Sequence, residues 1–167
     1  MGGAFDYKAI GQAVDEVIIM TYEEHRAGSE PGSVASVPWV TSVLNYAIAN
    51  IPLQKIYRGI SIYGYDWPEQ GAGRVIGYPQ AIELARRHGA PWQWDATQHS
   101  TYFRYETMGG RYGRHTVYFE ESRSLKDKLD LALLKSIRGV ALWEMNLSYP
   151  SFWDVLQTYV KHPSRKK

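Results

Sequence analysis

The run Val17-Ile18-Ile19-Met20-Thr21-Tyr22 is an almost unbroken apolar, largely β-branched stretch that stops at the charged Glu23-Glu24-His25. A half-exposed strand alternates apolar and polar residues. An uninterrupted run reads instead as a strand buried on both faces, as in a parallel sheet. Parallel strands need long crossovers, usually helical, and the sequence on either side supplies them. Upstream, a short helix is expected over residues 6–13. Downstream, the turn-rich Ala27-Gly28-Ser29-Glu30-Pro31-Gly32 leads into a helix over residues 38–50. Val40, Val43, Leu44, Ala47, Ile48 and Ile51 line one face of that helix, with proline near its start and Ile51-Pro52 at its end.

A second buried strand is expected over residues 56–63, ending in Gly64-Tyr65-Asp66-Trp67. The rhythm then changes. Gly71-Ala72-Gly73 reads as a loop, lacking the rest of a phosphate-binding fingerprint, and a helix over residues 78–88 stops at Gly89. Short strands follow over residues 92–95, 102–105 and 115–119, with Gly109-Gly110 as a turn signal between the last two. The strand–helix alternation returns with Ser124-Leu125-Lys126-Asp127, which has the form of a capping box with aspartate in the glutamate place. Leu125, Leu129, Ala132 and Leu133 stripe the helix behind it. A third buried strand, Gly139-Val140-Ala141-Leu142-Trp143, precedes a final helix over residues 151–160. The reading is α/β: three strand–helix units, a segment of a TIM-type (β/α) barrel rather than a closed one, interrupted by an α+β insertion.

At 167 residues and 44% apolar content the chain fits one globular domain. No apolar run is long enough to span a bilayer, and Met1-Gly2-Gly3-Ala4-Phe5-Asp6 lacks the basic and apolar regions of a signal peptide. The absence of cysteine removes disulfides, thiolate metal sites and thiol nucleophiles. A net charge of +2, without a basic stripe or a recognisable module, gives no nucleic-acid partner, and the basic tail of residues 161–167 reads as a solvated end. The aromatic content is 14%, with six tryptophans and thirteen tyrosines. Such side chains join an apolar face to a polar tip and serve either cores or binding surfaces; sugar rings, with apolar C–H faces edged by hydroxyls, suit them.

Ligands of parallel α/β folds bind at the C-terminal ends of the strands. Those ends are Tyr22-Glu23-Glu24-His25, Tyr63-Gly64-Tyr65-Asp66-Trp67 and Trp143-Glu144-Met145-Asn146, each with aromatic residues beside carboxylates. Carboxylates exchange protons in glycosidic cleavage and aromatics orient rings, although carboxylates at such positions also serve as helix caps. His25, His88, His99, His115 and His162 are dispersed without zinc-ligand spacing, and there is no Gly-x-Ser-x-Gly elbow. No metal or cofactor is expected.

Four of these stretches, in register, resemble glycoside hydrolase family 18, the chitinase-like barrels. Met20-Thr21-Tyr22-Glu23 is similar to the family's Met-x-Tyr-Asp on the sixth barrel strand. Gly59-Ile60-Ser61-Ile62-Tyr63-Gly64-Tyr65-Asp66-Trp67 resembles the seventh strand of the spore-cortex and cell-wall branch, and Trp143 the tryptophan of the eighth. The segment carrying Gln93-Trp94-Asp95, Phe103-Arg104-Tyr105 and residues 119–124 resembles the small domain inserted after strand seven. The resemblance implies a single partial domain, with residues 1–67 and 123–167 in the barrel and 68–122 in the insertion.

The resemblance further implies a substrate-assisted retaining mechanism on N-acetylglucosamine-containing glycans, chitin or peptidoglycan. In it, the acetamido oxygen of the substrate attacks the anomeric carbon and a glutamic acid protonates the leaving oxygen. By analogy Tyr22 and Glu23 align and polarise the acetamido group, and Trp143 floors the subsite. Met20, Tyr63, Tyr65, Trp67, Asp95 and Tyr105 follow as cleft-wall candidates. It places such a protein at a cell wall, at a spore or outside the cell. The sequence departs from the family pattern twice. Glu23 stands where aspartate is usual, one methylene longer, and displacements near 1 Å cost catalysis roughly 100-fold. The acid-bearing run Asp-x-x-Asp-x-Asp-x-Glu occurs nowhere in these 167 residues. The expectation is therefore a hydrolase fragment that binds sugars better than it cuts them, or a lectin-like binding protein, with open barrel edges able to self-associate.

Overall fold

The computed structural model describes residues 5–108 and 113–160. Asp6 starts helix α1 (Tyr7–Ala13) by accepting the Ala9 amide at 2.9 Å. Strand β1 (Val17–Met20) follows, and then helix α2 (Val37–Asn50). Ser36 caps α2 by accepting the Trp39 amide at 3.3 Å, and Pro38 occupies the first turn, where its missing N–H leaves no bond unmade. Val40, Leu44 and Ala47, on one stripe of α2, are buried.

Strand β2 (Ile56–Ser61) lies between β1 and β8 (Gly139–Trp143) in a three-stranded sheet, and both pairings are parallel. Ile19 and Ile56 pack with Ala47 and Ile51 of the α2 region, while Ile60 packs with Leu125 and Leu129 of α4 (Ser122–Leu134) and Phe152 of α5 (Pro150–Val160). The opposite face of the sheet is open: Ile18, Met20 and Trp143 are 58%, 68% and 55% exposed. The expected burial of β1 on both faces is thus corrected. Helices cover one face, and among the described residues no layer covers the other.

The second sheet has five strands in the order β4 (Arg74–Ile76), β3 (Gly64–Pro68), β7 (Arg114–Phe119), β6 (Ser100–Glu106) and β5 (Gln93–Asp95), all antiparallel. Helix α3 (Tyr78–His88) packs Ala81 and Ala85 against Ile76, Phe103, Val117 and Phe119 on one face of it. Pro79 opens α3, and Gly89 closes it at φ 58°, a left-handed position that glycine takes without strain.

Gly64-Tyr65-Asp66-Trp67 therefore belongs to the second sheet and does not prolong β2. Only Ile62 and Tyr63 join the two strands, so the sheet changes before the boundary expected at residue 67. The cause is Gly64: a Cβ there would stand 1.9 Å from the Tyr118 carbonyl oxygen. Only a residue without one lets β3 come up against β7. Gly71-Ala72-Gly73 falls in the connection between β3 and β4. The expected turn at Gly109-Gly110, His162 and the basic tail lie outside the described residues.

Helix α4 corrects the capping expectation. Its N-cap is Glu121, which accepts the Ser124 amide at 3.1 Å, while the Ser124 hydroxyl accepts the Glu121 amide at 3.0 Å. The box is real but reversed, with the carboxylate at the cap and the serine three residues on. Asp127 instead meets His99 Nδ1 at 2.6 Å. Leu131 is buried on α4, whereas Leu133, expected in the stripe, is exposed.

Beneath the parallel sheet sit two buried cations. Lys128 of α4 pairs with Glu120, whose other oxygen accepts the Ser124 hydroxyl at 2.8 Å. Arg58 of β2 donates to the Lys128 carbonyl and, through Nε, to Thr21 Oγ1 at 3.0 Å. Burial lowers both side chains' affinity for a proton, opposed by the Glu120 charge, and Arg58 comes down to about 10. Among the described residues no helix is long and apolar enough to cross a membrane.

Candidate active site

The site begins at the C-terminal end of β1. The Thr21 hydroxyl donates to the Gly59 carbonyl at 2.7 Å and ties the chain leaving β1 to β2. Two residues later Glu23 adopts φ 68°, the left-handed region that non-glycine residues occupy at a cost of about 1–3 kcal/mol. The next residue is pinned. The Glu24 amide donates to Val34 O at 3.0 Å, and the Glu24 carboxylate accepts the Ser36 amide at 2.7 Å and its hydroxyl at 3.0 Å. Glu24 is thus the cap-like carboxylate of the pair, and Glu23 is left facing the cavity.

Glu23 is met there by two phenols. The Tyr63 hydroxyl donates to Oε1, and the Tyr65 hydroxyl donates to Oε1 at 2.9 Å and Oε2 at 3.1 Å. Burial first, and then the bond to Glu23, raises the pKa of both tyrosines, Tyr65 to about 12. Burial and the Glu23 charge also raise Tyr22. These phenols stay protonated at neutral pH and remain donors to the carboxylate.

Tyr22, Glu23, Tyr63, Tyr65 and Trp143 line one cavity of about 330 Å³, closed by Val75, Glu144 and Leu147. Trp143 ends β8 opposite Ser61 of β2, and the Trp143–Glu144 peptide is cis. Five of the nine residues singled out from sequence therefore converge. The other four stand elsewhere. Met20 lies on the open face of β1. Trp67, 2% exposed, packs behind Tyr65 with ring centroids 5.2 Å apart and donates its indole N–H to Arg26 O at 3.1 Å. Asp95 closes a turn by accepting the Thr97 and Gln98 amides at 2.9 and 2.8 Å. Tyr105 donates to the buried Asp66 at 2.9 Å, beside His115 Nδ1, which lies 2.7 Å from the same carboxylate.

Val75 and Leu147 carried no sequence signal, because an isolated apolar residue in a short strand or turn looks the same whether it borders a cavity or a core. Glu144 had one, its place next to Trp143 at a strand end. Among the described residues no group of three or more histidine, aspartate or glutamate side chains could hold a metal. Chemically, the cavity offers an anchored carboxylate that can accept one more N–H or O–H, a phenol at Tyr22, and a half-exposed indole for an apolar ring face.

Comparison with known proteins gives a consistent result. The family model described as "Glycosyl hydrolases family 18" matches residues 1–147. The chain is 38% identical over 158 residues to the cortical fragment-lytic enzyme of Bacillus subtilis (strain 168), covering 92% of this chain and 36% of that protein. It is similar to the crystal structure of the Bacillus cereus spore cortex-lytic enzyme SleL, with a TM-score of 0.86 at 34% identity over 91% of this chain and 36% of that one. It is also similar to a chitinase from Chromobacterium violaceum ATCC 12472, with a TM-score of 0.87 at 33% identity over 95% and 49% of the two chains. The chain thus spans about a third of the length of the cortex-lytic relatives. With the family model matching 147 of its 167 residues, the chain belongs to glycosyl hydrolases family 18.

Proposed function

We propose that this chain forms the acetamido-recognising part of a glycosidase acting on N-acetylglucosamine-containing glycans. The observation that carries the reading is the anchoring of Glu23 by Tyr63 and Tyr65 in a cavity shared with Tyr22 and Trp143. In this reading Trp143 lies under a pyranose ring. Glu23 accepts the acetamido N–H and turns the carbonyl oxygen toward the anomeric carbon, and the Tyr22 hydroxyl donates to that oxygen. The two phenols let Glu23 work in the place of the family's aspartate, because they set its carboxylate from the far side.

The parallel sheet corresponds, in this proposal, to strands six to eight of a (β/α) barrel, and β3 to β7 with α3 to its inserted domain. The open face bearing Ile18, Met20 and Trp143 supports that assignment, since it is apolar and lies where a barrel interior would be. Cleavage then needs the acid of an Asp-x-x-Asp-x-Asp-x-Glu run supplied by sequence outside these 167 residues. The names of the cortex-lytic relatives favour peptidoglycan over chitin, and a spore or cell-wall setting. The lack of the acid run within the chain favours one second reading, a sugar-binding protein without hydrolysis.

Titration of the chain with N-acetylglucosamine oligomers, followed by tryptophan fluorescence, tests both readings. A saturable change abolished by Trp143→Ala is expected. No saturable change at millimolar sugar would sink them together. Release of reducing ends, only on adding a segment that bears the acid run, separates the hydrolase from the binding protein.

A further inference from the structure

Two neighbouring residues of β2 hold Tyr22 in place. The Thr21 hydroxyl, which donates to the Gly59 carbonyl at 2.7 Å, also accepts from Arg58 Nε at 3.0 Å. The Tyr22 ring rests on the same glycine. A Cβ at Gly59 would stand 2.9 Å from Tyr22 Cε1 and 3.0 Å from the Ile19 carbonyl oxygen. Successive residues of a strand face opposite ways, so Arg58 and Gly59 reach Thr21 and Tyr22 from two sides. One dipeptide of β2 thus grips the dipeptide that leaves β1, just beyond their last register pair, Met20 opposite Gly59.

Arg58 is itself fixed from below. It is fully buried, its Nη1 donates to the Lys128 carbonyl of α4, and the Glu120 charge that pairs with Lys128 acts on it as well. Its Nη2 meets no protein acceptor among the described residues. For stability alone this arginine is a poor choice. A buried charge is costly to desolvate, and well-packed apolar side chains in such places are often neutral or better. What the arginine supplies is direction. The Thr21 hydroxyl can rotate about its own bond, and a donor on one side leaves its proton aimed at the Gly59 carbonyl.

We propose that Arg58 and Gly59 are positioning residues for Tyr22, setting the angle at which its hydroxyl enters the cavity it shares with Glu23. Arg58 acts through Thr21, and Gly59 through its contact with the ring; neither lines the cavity. That Tyr22 donates to a sugar is the function proposed above, and only the sugar arm of the test rests on it. Burial, and then the Glu23 charge, raise the Tyr22 pKa. The phenol therefore reports by itself whether its placement is kept.

The test uses the full chain with ring-labelled tyrosine, the Tyr22 resonance being assigned from Tyr22→Phe. Arg58→Met leaves Glu120 and Lys128 paired one to one and is expected to keep its circular dichroism. In Arg58→Met and in Gly59→Ala the Tyr22 resonance should move, and its titration should fall back toward the ordinary 10. Binding of N-acetylglucosamine oligomers should weaken roughly tenfold in both. Arg58→Lys, which keeps a donor near Thr21, should recover part of each change. In a Tyr22→Phe background the same substitutions should cause no further loss of affinity. An unmoved Tyr22 titration in both variants, or an affinity loss as large in Tyr22→Phe as in the wild type, overturns the proposal. If Arg58→Met does not fold, Gly59→Ala and Arg58→Lys decide by the same titration. A wild-type chain that binds no oligomer counts against the glycan reading, and the Tyr22 titration alone then decides this one.

Discussion

The Tyr65 hydroxyl bridges both carboxylate oxygens of Glu23, at 2.9 and 3.1 Å, although the two residues are carried by different sheets. Hydrogen bonds to a charged group contribute about 1.5–3 kcal/mol, and here they hold a residue whose backbone is strained. Tyr65→Phe should therefore weaken the binding of N-acetylglucosamine oligomers by roughly tenfold or more, with the secondary structure retained by circular dichroism. Glu23→Asp, which draws the carboxylate back by one methylene, should lose one of its two phenols and fall between the wild type and Glu23→Gln. Equal affinities across the three variants would show that Glu23 does not contact the sugar.

Alkaline stability follows from the same tyrosines. Burial, together with the Glu23 bond, moves Tyr65 from the ordinary 10 to about 12, and Tyr63, Tyr105, Tyr149 and Tyr159 are raised by burial as well. A group whose proton is held more tightly in the folded state gives its full stabilisation below its unfolded pKa and loses it as pH rises through the folded one. Stability should be level up to pH 10 on this account and fall between 10 and 12. Circular dichroism at fixed urea should show a stability level to pH 10 and falling above it; a stability unchanged at pH 12 would contradict the burial argument.

Glu120 pairs with the buried Lys128 and its charge also acts on the buried Arg58, while Glu24 acts on Lys128 more weakly. Removing Glu120 deprives both cations of their main counter-charge, whereas removing Lys128 leaves one anion facing one cation. Glu120→Ala should cost about 3–5 kcal/mol, the range for breaking a buried pair. Lys128→Met, of similar length and apolar, should cost clearly less in urea unfolding. The reverse order would mean that Lys128 contributes through its packing more than through its charge.

Gly64→Ala would place a methyl group inside the backbone of β7. Overpacking typically costs 1–3 kcal/mol, occasionally more, and a 1.9 Å approach to backbone belongs at or above the top of that range. The displaced β3 would carry Tyr65 away from Glu23. The expected outcome is a lower midpoint of thermal unfolding and loss of sugar binding together, whereas Gly28→Ala, with nothing within 4 Å of the added methyl, should be silent in both assays.

The open face of the parallel sheet, with its unpaired β1 and β8 edges, should make the chain associate as its concentration rises. Ile18→Lys, on that face and 58% exposed, should shift size-exclusion elution toward the monomer without loss of helix content. Unchanged elution would place the association elsewhere.

Much of this architecture was legible in the residues. β1, β2 and β8 were marked by continuous apolar runs, α2 by its stripe and Pro38, α3 by its stop at Gly89, and five cavity residues by their place at strand ends. What escaped depended on contacts distant in sequence. Gly64 reads as an ordinary glycine until β7 is beside it, so β3 looked like the end of β2. Trp67 and Tyr105 have the composition of a sugar platform, but the Arg26 carbonyl and the Asp66 carboxylate claim their polar atoms. Asp95 is a turn-forming aspartate, a role its short side chain fills in any protein. The reversed box at Glu121 and Ser124 shows the same limit, since the pairing is symmetric in chemistry and only the helix start decides which partner is the cap.

The two-residue link between β2 and β3 gives the Tyr65–Glu23 bond a mechanical meaning. Glu23 travels with one sheet and Tyr65 with the other, and Tyr63 sits in the joint itself. The carboxylate that faces the small cavity is therefore also the tie across the joint between the two sheets.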